Sequence, residues 1–577
     1  MPKKPKRSRA PFAGGASSPE RVGTRERLEA AARWGAVDLL AGPLSLALLV
    51  AVARMPILTP DVWWHLATGR LVARDGIPHR DPFSYTLGER SWTAHEWLAD
   101  RVLFASFESG GFLGVVLWRA ALITAAVMLA YLVARLRGRV LWSLVLLIPA
   151  AWAMQRNWLD RPQLWTFVLA PLILGLLEAH RMGRRRGIYL VPLLFAAWVN
   201  LHGGFMFGLG IVAVWVVGEL WRARSDPTAR AGLRSLWIAA SLGVVATLVN
   251  PNTFEGATYP LRYVGSGLSQ SLQEERPGAL DSGYAWVHFG VLVALLVALV
   301  ARLRHAAPQH VVLGVALAWI SMPRLGGSAL PFAAERHAPL LLLLGTPLLV
   351  WQVSALFARY AAAESAGLRR VRSMRLAWGA GAGLVLVALA WALAVLPRQR
   401  DADDRVAPAR FPAAAALWLQ DNRLPGNLIN PYRWGGYLAF YLHPEYRVWI
   451  DSRGDLYGVD RIREFELLYR MPPGAEQHVT ALLDRYDANV IVWHLLTIDF
   501  GPLQVHPFAA WLLRSKEWRL VFFDHPDPAR PDQPSATTGI FLREHPRNAA
   551  LLERHKPVRT PRLPRAPLRS PAAQGRR

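Results

Sequence analysis

Apolar runs close to the length of a membrane-crossing helix recur along this chain, and that spacing constrains its fold more than any motif does. A helix needs about 20 mostly apolar residues to cross the hydrocarbon core of a bilayer. Eleven runs bounded by charge, proline or glycine approach this length: 34–53, 111–134, 139–155, 164–180, 188–201, 204–221, 234–249, 284–301, 309–322, 338–358 and 376–396. With no water in the bilayer core, such segments must satisfy their backbone groups internally, so helices are expected. Of the 577 residues 53% are hydrophobic and only 19% charged, below the roughly 25% charge of soluble proteins. An ordinary cytosolic enzyme is therefore not expected.

Charge orients the runs. Lys plus Arg outnumber Asp plus Glu by 66 to 41, a formal net charge of +25. Segments 1–33, 135–139, 181–187, 222–234, 302–308 and 359–375 are rich in Lys and Arg. The alternate short loops, 156–163, 200–204, 250–283 and 323–337, carry only Arg156, Arg161, Arg262, Arg276, Arg324 and Arg336. Basic loops stay cytoplasmic, so the N-terminus is expected inside and the C-terminus outside an inner cell membrane, with lipid as the surrounding partner. The basic residues are spread over separate cytoplasmic segments instead of one face, which argues against nucleic acid as a partner. Cysteine is absent, which removes disulfides, thiolate metal sites and thiol nucleophiles.

Two segments are too long to be connectors and are where function is expected. The first is the outer loop 54–110; the second follows residue 396. Residues 398–550 alternate β-type runs (447–450, 489–493, 520–523, 539–542) with helical stretches at 458–470, 475–486 and 507–516, the pattern of a small α/β domain. The basic segment 1–33 and the Pro- and Arg-rich tail 551–577 have the composition of disordered chain. The expected architecture is an all-α polytopic membrane domain over 34–396, with about eleven transmembrane helices, followed by a small α/β extracytoplasmic domain.

The first outer loop gathers Asp61, His65, Asp81, His95 and Glu96. Asp61 precedes a helical stretch beginning at Val62, as an N-cap would, and His65 lies one turn later on the same side. Asn200-Leu201-His202-Gly203-Gly204 and Asn250-Pro251-Asn252 interrupt apolar runs, and broken helices at membrane depth are tolerated where they line a cavity, so His202 and Asn250 are candidate wall residues. Asp61, with His65 or Asp160, is the candidate metal set; carboxylates there suit Mg²⁺ or Mn²⁺ better than Zn²⁺.

An acidic residue just after the first crossing, followed by the aromatic-rich stretch Val62-Trp63-Trp64-His65, resembles the GT-C superfamily of polytopic glycosyltransferases, the group of oligosaccharyltransferases and protein mannosyltransferases. The resemblance implies transfer of a sugar from a polyprenyl-phosphate-linked donor, with Asp61 as catalytic base or acceptor-positioning group and Asp160 as second acidic site. Pro431-Tyr432-Arg433-Trp434-Gly435-Gly436-Tyr437 is similar in placement to a Trp-rich, Gly-Tyr motif in the outer domain of oligosaccharyltransferase catalytic subunits, although Gly435 stands where that motif has an acidic residue. It makes Trp434 and Tyr437 candidate acceptor contacts. Such a reaction needs a carboxylate for the acceptor proton and cations for the departing phosphate, and Arg262, Arg324 and Arg336 are the candidate cations. The rival is a non-enzymatic transporter or assembly subunit for an envelope polysaccharide. A transporter places ionisable groups at mid-membrane depth, whereas here Asp38 and Glu178 lie near the cytoplasmic ends of their runs.

Overall fold

The computed structural model describes residues 41–88, 90–263, 279–323, 334–357, 411–497, 504–524 and 538–555. The segment 1–33 and the apolar run 376–396 lie outside the described residues. What is described is mostly helical, with a small mixed sheet near the C-terminus.

Among the described residues five helices are long and apolar enough to cross a membrane: α3 (Trp97–Arg135), α5 (Gln163–Arg181), α7 (Phe205–Arg222), α10 (Gly283–Ala301) and α12 (Glu335–Leu356). Between and before them stand α1 (Ala41–Ala53), α2 (Asp61–Asp75), α4 (Val140–Ala153), α6 (Val191–Leu201), α8 (Pro227–Ala246), α9 (Thr253–Tyr263) and α11 (Pro308–Ile320). Several apolar runs thus become shorter helices: the 14 residues of α4 rise about 21 Å, less than the roughly 30 Å of a hydrocarbon core. Gly111, at φ 57°, breaks α3 where the apolar run of the second crossing begins. The stretch 97–110 can therefore take its own direction before the crossing helix starts. The outward faces of α8 and α10 expose Leu242, Val245, Val297 and Val300, as lipid-facing helices do.

The C-terminal part contains α13 (Ala413–Asn422), β1 (Asn427–Ile429), α14 (Gly435–Leu442), α15 (Gly454–Arg470), α16 (Glu476–Arg485), β2 (Ala488–His494), β3 (Leu496–Thr497), β4 (Gln504–Val505), α17 (Pro507–Arg514), β5 (Trp518–Phe523), β6 (Thr538–Arg543) and α18 (Ala549–Arg554). The main sheet runs β1-β2-β6-β5. β1 pairs parallel to β2, and β6 pairs antiparallel to both β2 and β5, with Val492 opposite Ile540 and Leu520 opposite Phe541. Ala488 to Trp493 are all buried, which suits a central strand covered on both faces. Two sequence expectations shift. The run 447–450 forms isolated bridges at Val448, one to Ser84 and one to Leu428, because its neighbour on one side is the first long loop. At the other end, Leu551 to Arg554 continue α18 instead of opening a structureless tail, anchored by the buried Leu552.

One core joins the membrane helices to this domain. Trp63 on α2 is fully buried, with its ring 4.6 Å from Tyr437, 5.2 Å from Phe411 and 5.6 Å from Phe112. α14 reaches α2 because Gly436 carries no side chain, and Gly435 lets the same helix start pack on the backbone at 450–451. A Cβ on Gly435 would lie 2.0 Å from the Ile450 carbonyl oxygen, and one on Gly436 would press on Trp64 N and Pro60 O at 3.1 and 3.3 Å. Between the two parts, Arg453 is buried against Asp451 (2.6 Å) and Asp81 (2.8 Å), its guanidinium over the Phe83 and Trp92 rings.

Candidate active site

The site is assembled where the first long loop, the turn before α5, the broken end of α6, α9 and the start of α15 meet. Asp61 is the first residue of α2, and Pro60, not Asp61, occupies the cap position. The carboxylate turns instead to Arg161, with Oδ2 2.8 Å from Nε, while the same Nε donates to Thr59 Oγ1 at 3.2 Å. Asp61 and Arg161 each keep 15% side-chain exposure, so the pair is reachable. A negative charge in the first turn also suits the positive end of the helix dipole.

His65, one turn on, points elsewhere. Its Nδ1 is 2.6 Å from Asp100 Oδ1, and both residues are buried; burial first, then Arg161, holds the imidazole well below its usual pKa. It ties α2 to α3 behind the reachable surface.

Glu96 stands before α3 with Oε1 3.6 Å from both His95 Nε2 and His202 Nε2. Burial pushes its carboxyl up to about 8, and the negative charges of Asp455 and Asp61 add to this against Arg161. Burial lowers His95 and brings His202 to about 3, so both imidazoles are neutral near pH 7. His202 follows α6, where the chain breaks at Gly203-Gly204; a Cβ on Gly204 would collide with Thr166 Oγ1 at 2.1 Å. His95 stacks on Tyr259 of α9 at 4.1 Å, and the Tyr259 hydroxyl donates to Asp455 in the first turn of α15. Tyr432 completes the group: its hydroxyl donates to Ser452 O at 3.0 Å, and burial, followed by the charges of Asp61, Asp451 and Asp455, keeps its phenol well above its ordinary pKa.

The other candidates divide. Arg262 lies on α9 beside this group, exposed, pairing with Glu255 at 3.0 Å and lying over Tyr259. Arg336 is exposed and acts electrostatically on His202. Arg324 lies outside the described residues. Asp81 is buried against Arg453 and accepts the Phe83 and Ser84 N–H groups at 3.2 and 3.0 Å, which makes it a fastener of the loop. Asn250 closes its own turn, donating to Thr247 O and Thr253 O and accepting from Asn252 N. Trp434 and Tyr437 are 1% and 5% exposed; their rings pack against protein, Trp434 on His494 and Tyr437 on Trp63 and Phe411.

Asp160 is buried with Oδ2 3.0 Å from Arg119 Nη1. Arg119 in turn donates to the Val52 and Pro56 carbonyls at 3.1 and 3.2 Å and to Met55 O, closing the end of α1. Asp61 and Asp160 therefore each face a guanidinium. Among the described residues no group of three or more His, Asp or Glu could hold a metal ion, so the residues in place do not fit the divalent ion that the sequence suggests.

Sequence reasoning missed Arg161 as the partner of Asp61, and Asp455 and Tyr432 as site residues. Arg161 carried a signal, as one of the few cations on the sparsely charged side; the other two are brought in by the docking of the C-terminal part.

No protein-family model matches the sequence, and no curated protein matches it. Solved structures do. Over most of the chain the fold is similar to that of solved oligosaccharyltransferases, which are GT-C membrane glycosyltransferases. The Archaeoglobus fulgidus oligosaccharyltransferase tethered to an acceptor peptide containing the NVT sequon is 10% identical over 86% of this chain and 80% of its own, with a TM-score of 0.51. AglB from the same organism, in complex with an inhibitory peptide and a dolichol-phosphate, is 11% identical over the same shares, with a TM-score of 0.50. ArnT from Cupriavidus metallidurans in the apo state covers 88% of this chain and 97% of its own at 15% identity, with a TM-score of 0.48. At these identities the likeness is one of fold.

Proposed function

We propose that this chain is an integral membrane glycosyltransferase that moves a sugar from a polyprenyl-phosphate-linked donor to an extracytoplasmic acceptor, an envelope glycan, a lipid or a protein. The observation that carries the reading is the reachable Asp61–Arg161 pair beside Glu96 and Asp455, on a fold shared with an enzyme solved with dolichol-phosphate. Asp61 orients the acceptor hydroxyl by accepting its hydrogen bond, and Arg161 fixes the carboxylate. Arg262 and Arg336, with Arg324, offer planar cations to the departing phosphate, whose charge they stabilise most when water is excluded. His65 braces α2 from behind through Asp100. The apolar runs support about eleven crossings, and the charge asymmetry of the loops supports an N-terminus inside and residues 398–550 outside.

Photolabelling tests the reading. A photoreactive polyprenyl phosphate is expected to mark peptides from Thr253–Tyr263 and Glu335–His337 in the full chain, and excess unlabelled polyprenyl phosphate is expected to suppress that mark. Labelling spread evenly over lipid-facing helices, with no competition, would overturn it.

A further inference from the structure

The two imidazoles beside Glu96 are held in opposite tautomers by their other neighbours. His202 Nδ1 accepts the Gly204 N–H at 2.9 Å. It also lies 2.8 Å from Thr166 Oγ1, an oxygen that already accepts the Trp198 indole N–H at 3.0 Å and so turns its own hydrogen toward the imidazole. That nitrogen is therefore bare, and the His202 proton is on Nε2, the atom facing Glu96. His95 is the reverse. Its Nδ1 is 3.4 Å from the Thr93 carbonyl, which can only accept, so Nδ1 carries the proton and the bare Nε2 faces Glu96. These assignments follow from the network of donors and acceptors.

Glu96 Oε1 thus has an N–H on one side and a lone pair on the other, each at 3.6 Å. As a carboxylate it is met by His202; as a carboxylic acid it can donate to His95. Among the described residues no donor lies within hydrogen-bonding distance of the Glu96 carboxylate, and its side chain is 12% exposed. Asp61, by contrast, is engaged by a guanidinium.

We propose that Glu96 is the proton acceptor of the transfer, poised between His95 and His202, while Asp61 positions the hydroxyl. This rests on the transferase reading above. The acceptor O–H bond breaks and its proton passes to Glu96. The oxygen's electron pair forms the bond to the anomeric carbon, and the carbon–oxygen bond to the carrier phosphate breaks with its pair remaining on the phosphate. The proton then leaves by way of His95 Nε2. The charged and titratable groups facing Glu96 are His95, His202, Asp455, Asp61, Arg161 and, from its own helix, Asp100. A carboxyl whose proton affinity lies near working pH suits a general base, and burial with nearby carboxylates gives Glu96 that property.

Two measurements on the full chain in lipid nanodiscs test this. Dicyclohexylcarbodiimide reacts with protonated carboxyls. Peptide mass spectra are expected to show Glu96 modified at pH 6 and spared above about pH 8, with the midpoint moved to lower pH in Asp455→Asn. A Glu96 already unreactive at pH 6 would overturn the proposal without reference to activity. In transfer assays, Glu96→Gln is expected to lose about 10²-fold or more in kcat with KM for the donor little changed. The rise of rate with pH disappears in that variant, and Glu96→Asp restores part of both. In Asp61→Asn the residual rate still rises with pH, with its midpoint moved to lower pH because a charge that raises Glu96 is gone. A wild-type chain active on a polyprenyl-phosphate sugar together with an equally active Glu96→Gln would overturn the role of Glu96 alone. A wild-type chain inactive on every such donor would overturn the transferase reading beneath it.

Discussion

Replacing Arg453 by Met is expected to separate the first long loop from the C-terminal part. The Arg453 side chain is 2% exposed, chelates Asp451 through Nε and Nη2 at 2.9 and 2.6 Å, and reaches Asp81 at 2.8 Å. Methionine fills much of the same volume and keeps contact with Phe83 and Trp92, so packing loss is small. Two buried carboxylates are left without their cation, and breaking a buried pair from one side costs about 3–5 kcal/mol. At about 1.4 kcal/mol per decade, that is roughly 10²- to 10³-fold or more in the opening equilibrium of the seam. Hydrogen exchange reads it at three amides bonded across or beside this junction: Ser84 to Asp81 Oδ2, Tyr85 to Val448 O and Val448 to Phe83 O. Their exchange is expected to accelerate by about that factor while Val490 and Ile491 in β2 stay protected. The triple change Asp81→Asn, Asp451→Asn, Arg453→Met is expected to recover part of the protection. Wild-type exchange at all three amides in Arg453→Met would refute the claim that this cation holds loop and domain together.

Asp61→Asn keeps a hydrogen-bonding side chain but removes the charge facing Arg161; transfer is expected to fall by about 10²-fold or more with an unchanged melting temperature, and full activity would leave Asp61 as a helix-end residue. Glu96 has a folded pKa raised to about 8 from 4.5, so its contribution favours the folded state below pH 4.5 and is lost as pH rises through 8. Glu96→Gln is therefore expected to melt higher than wild type at pH 8.5 and equally at pH 4.5, read by thermal shift; a constant difference would contradict this. Gly435→Ala is expected to lower stability strongly, since its Cβ meets backbone at 2.0 Å, whereas Tyr437→Phe and Trp434→Phe test whether these buried rings affect acceptor saturation at all. Reporter fusions after Arg181 and after Asp401 are expected to report opposite compartments, and a shared compartment would contradict the orientation.

How much of this was legible in the sequence depends on the range of the interaction. Gly111 is an example of the local kind: a glycine at the edge of an apolar run gives both the helix break and the start of the crossing. The strands at 489–493, 520–523 and 539–542 are similar, because continuous apolar β-branched and aromatic runs encode burial directly. The segment 447–450 reads the same way but makes only isolated bridges, since its partner is Ser84, 364 positions away in the numbering, and nothing in its own residues names that partner. In the site, sequence brought Asp61, His95, Glu96 and His202 forward by their chemistry. It could not separate them from His65 and Asp81, whose identical chemistry is turned inward by Asp100 and Arg453. Nor could it place Asp455 and Tyr432, which reach the site because the C-terminal part docks on the first long loop and α2, with Gly436 against Trp64 and Pro60.

Sugar transfer itself is the most direct test. The purified full chain in nanodiscs would be given a radiolabelled polyprenyl-phosphate hexose together with an envelope extract as acceptor, and label followed from the carrier into product. The account predicts label leaving the carrier with wild type and at least about 10²-fold more slowly with Asp61→Asn. Label that stays on every polyprenyl-phosphate sugar offered, or leaves equally fast with both proteins, would contradict it.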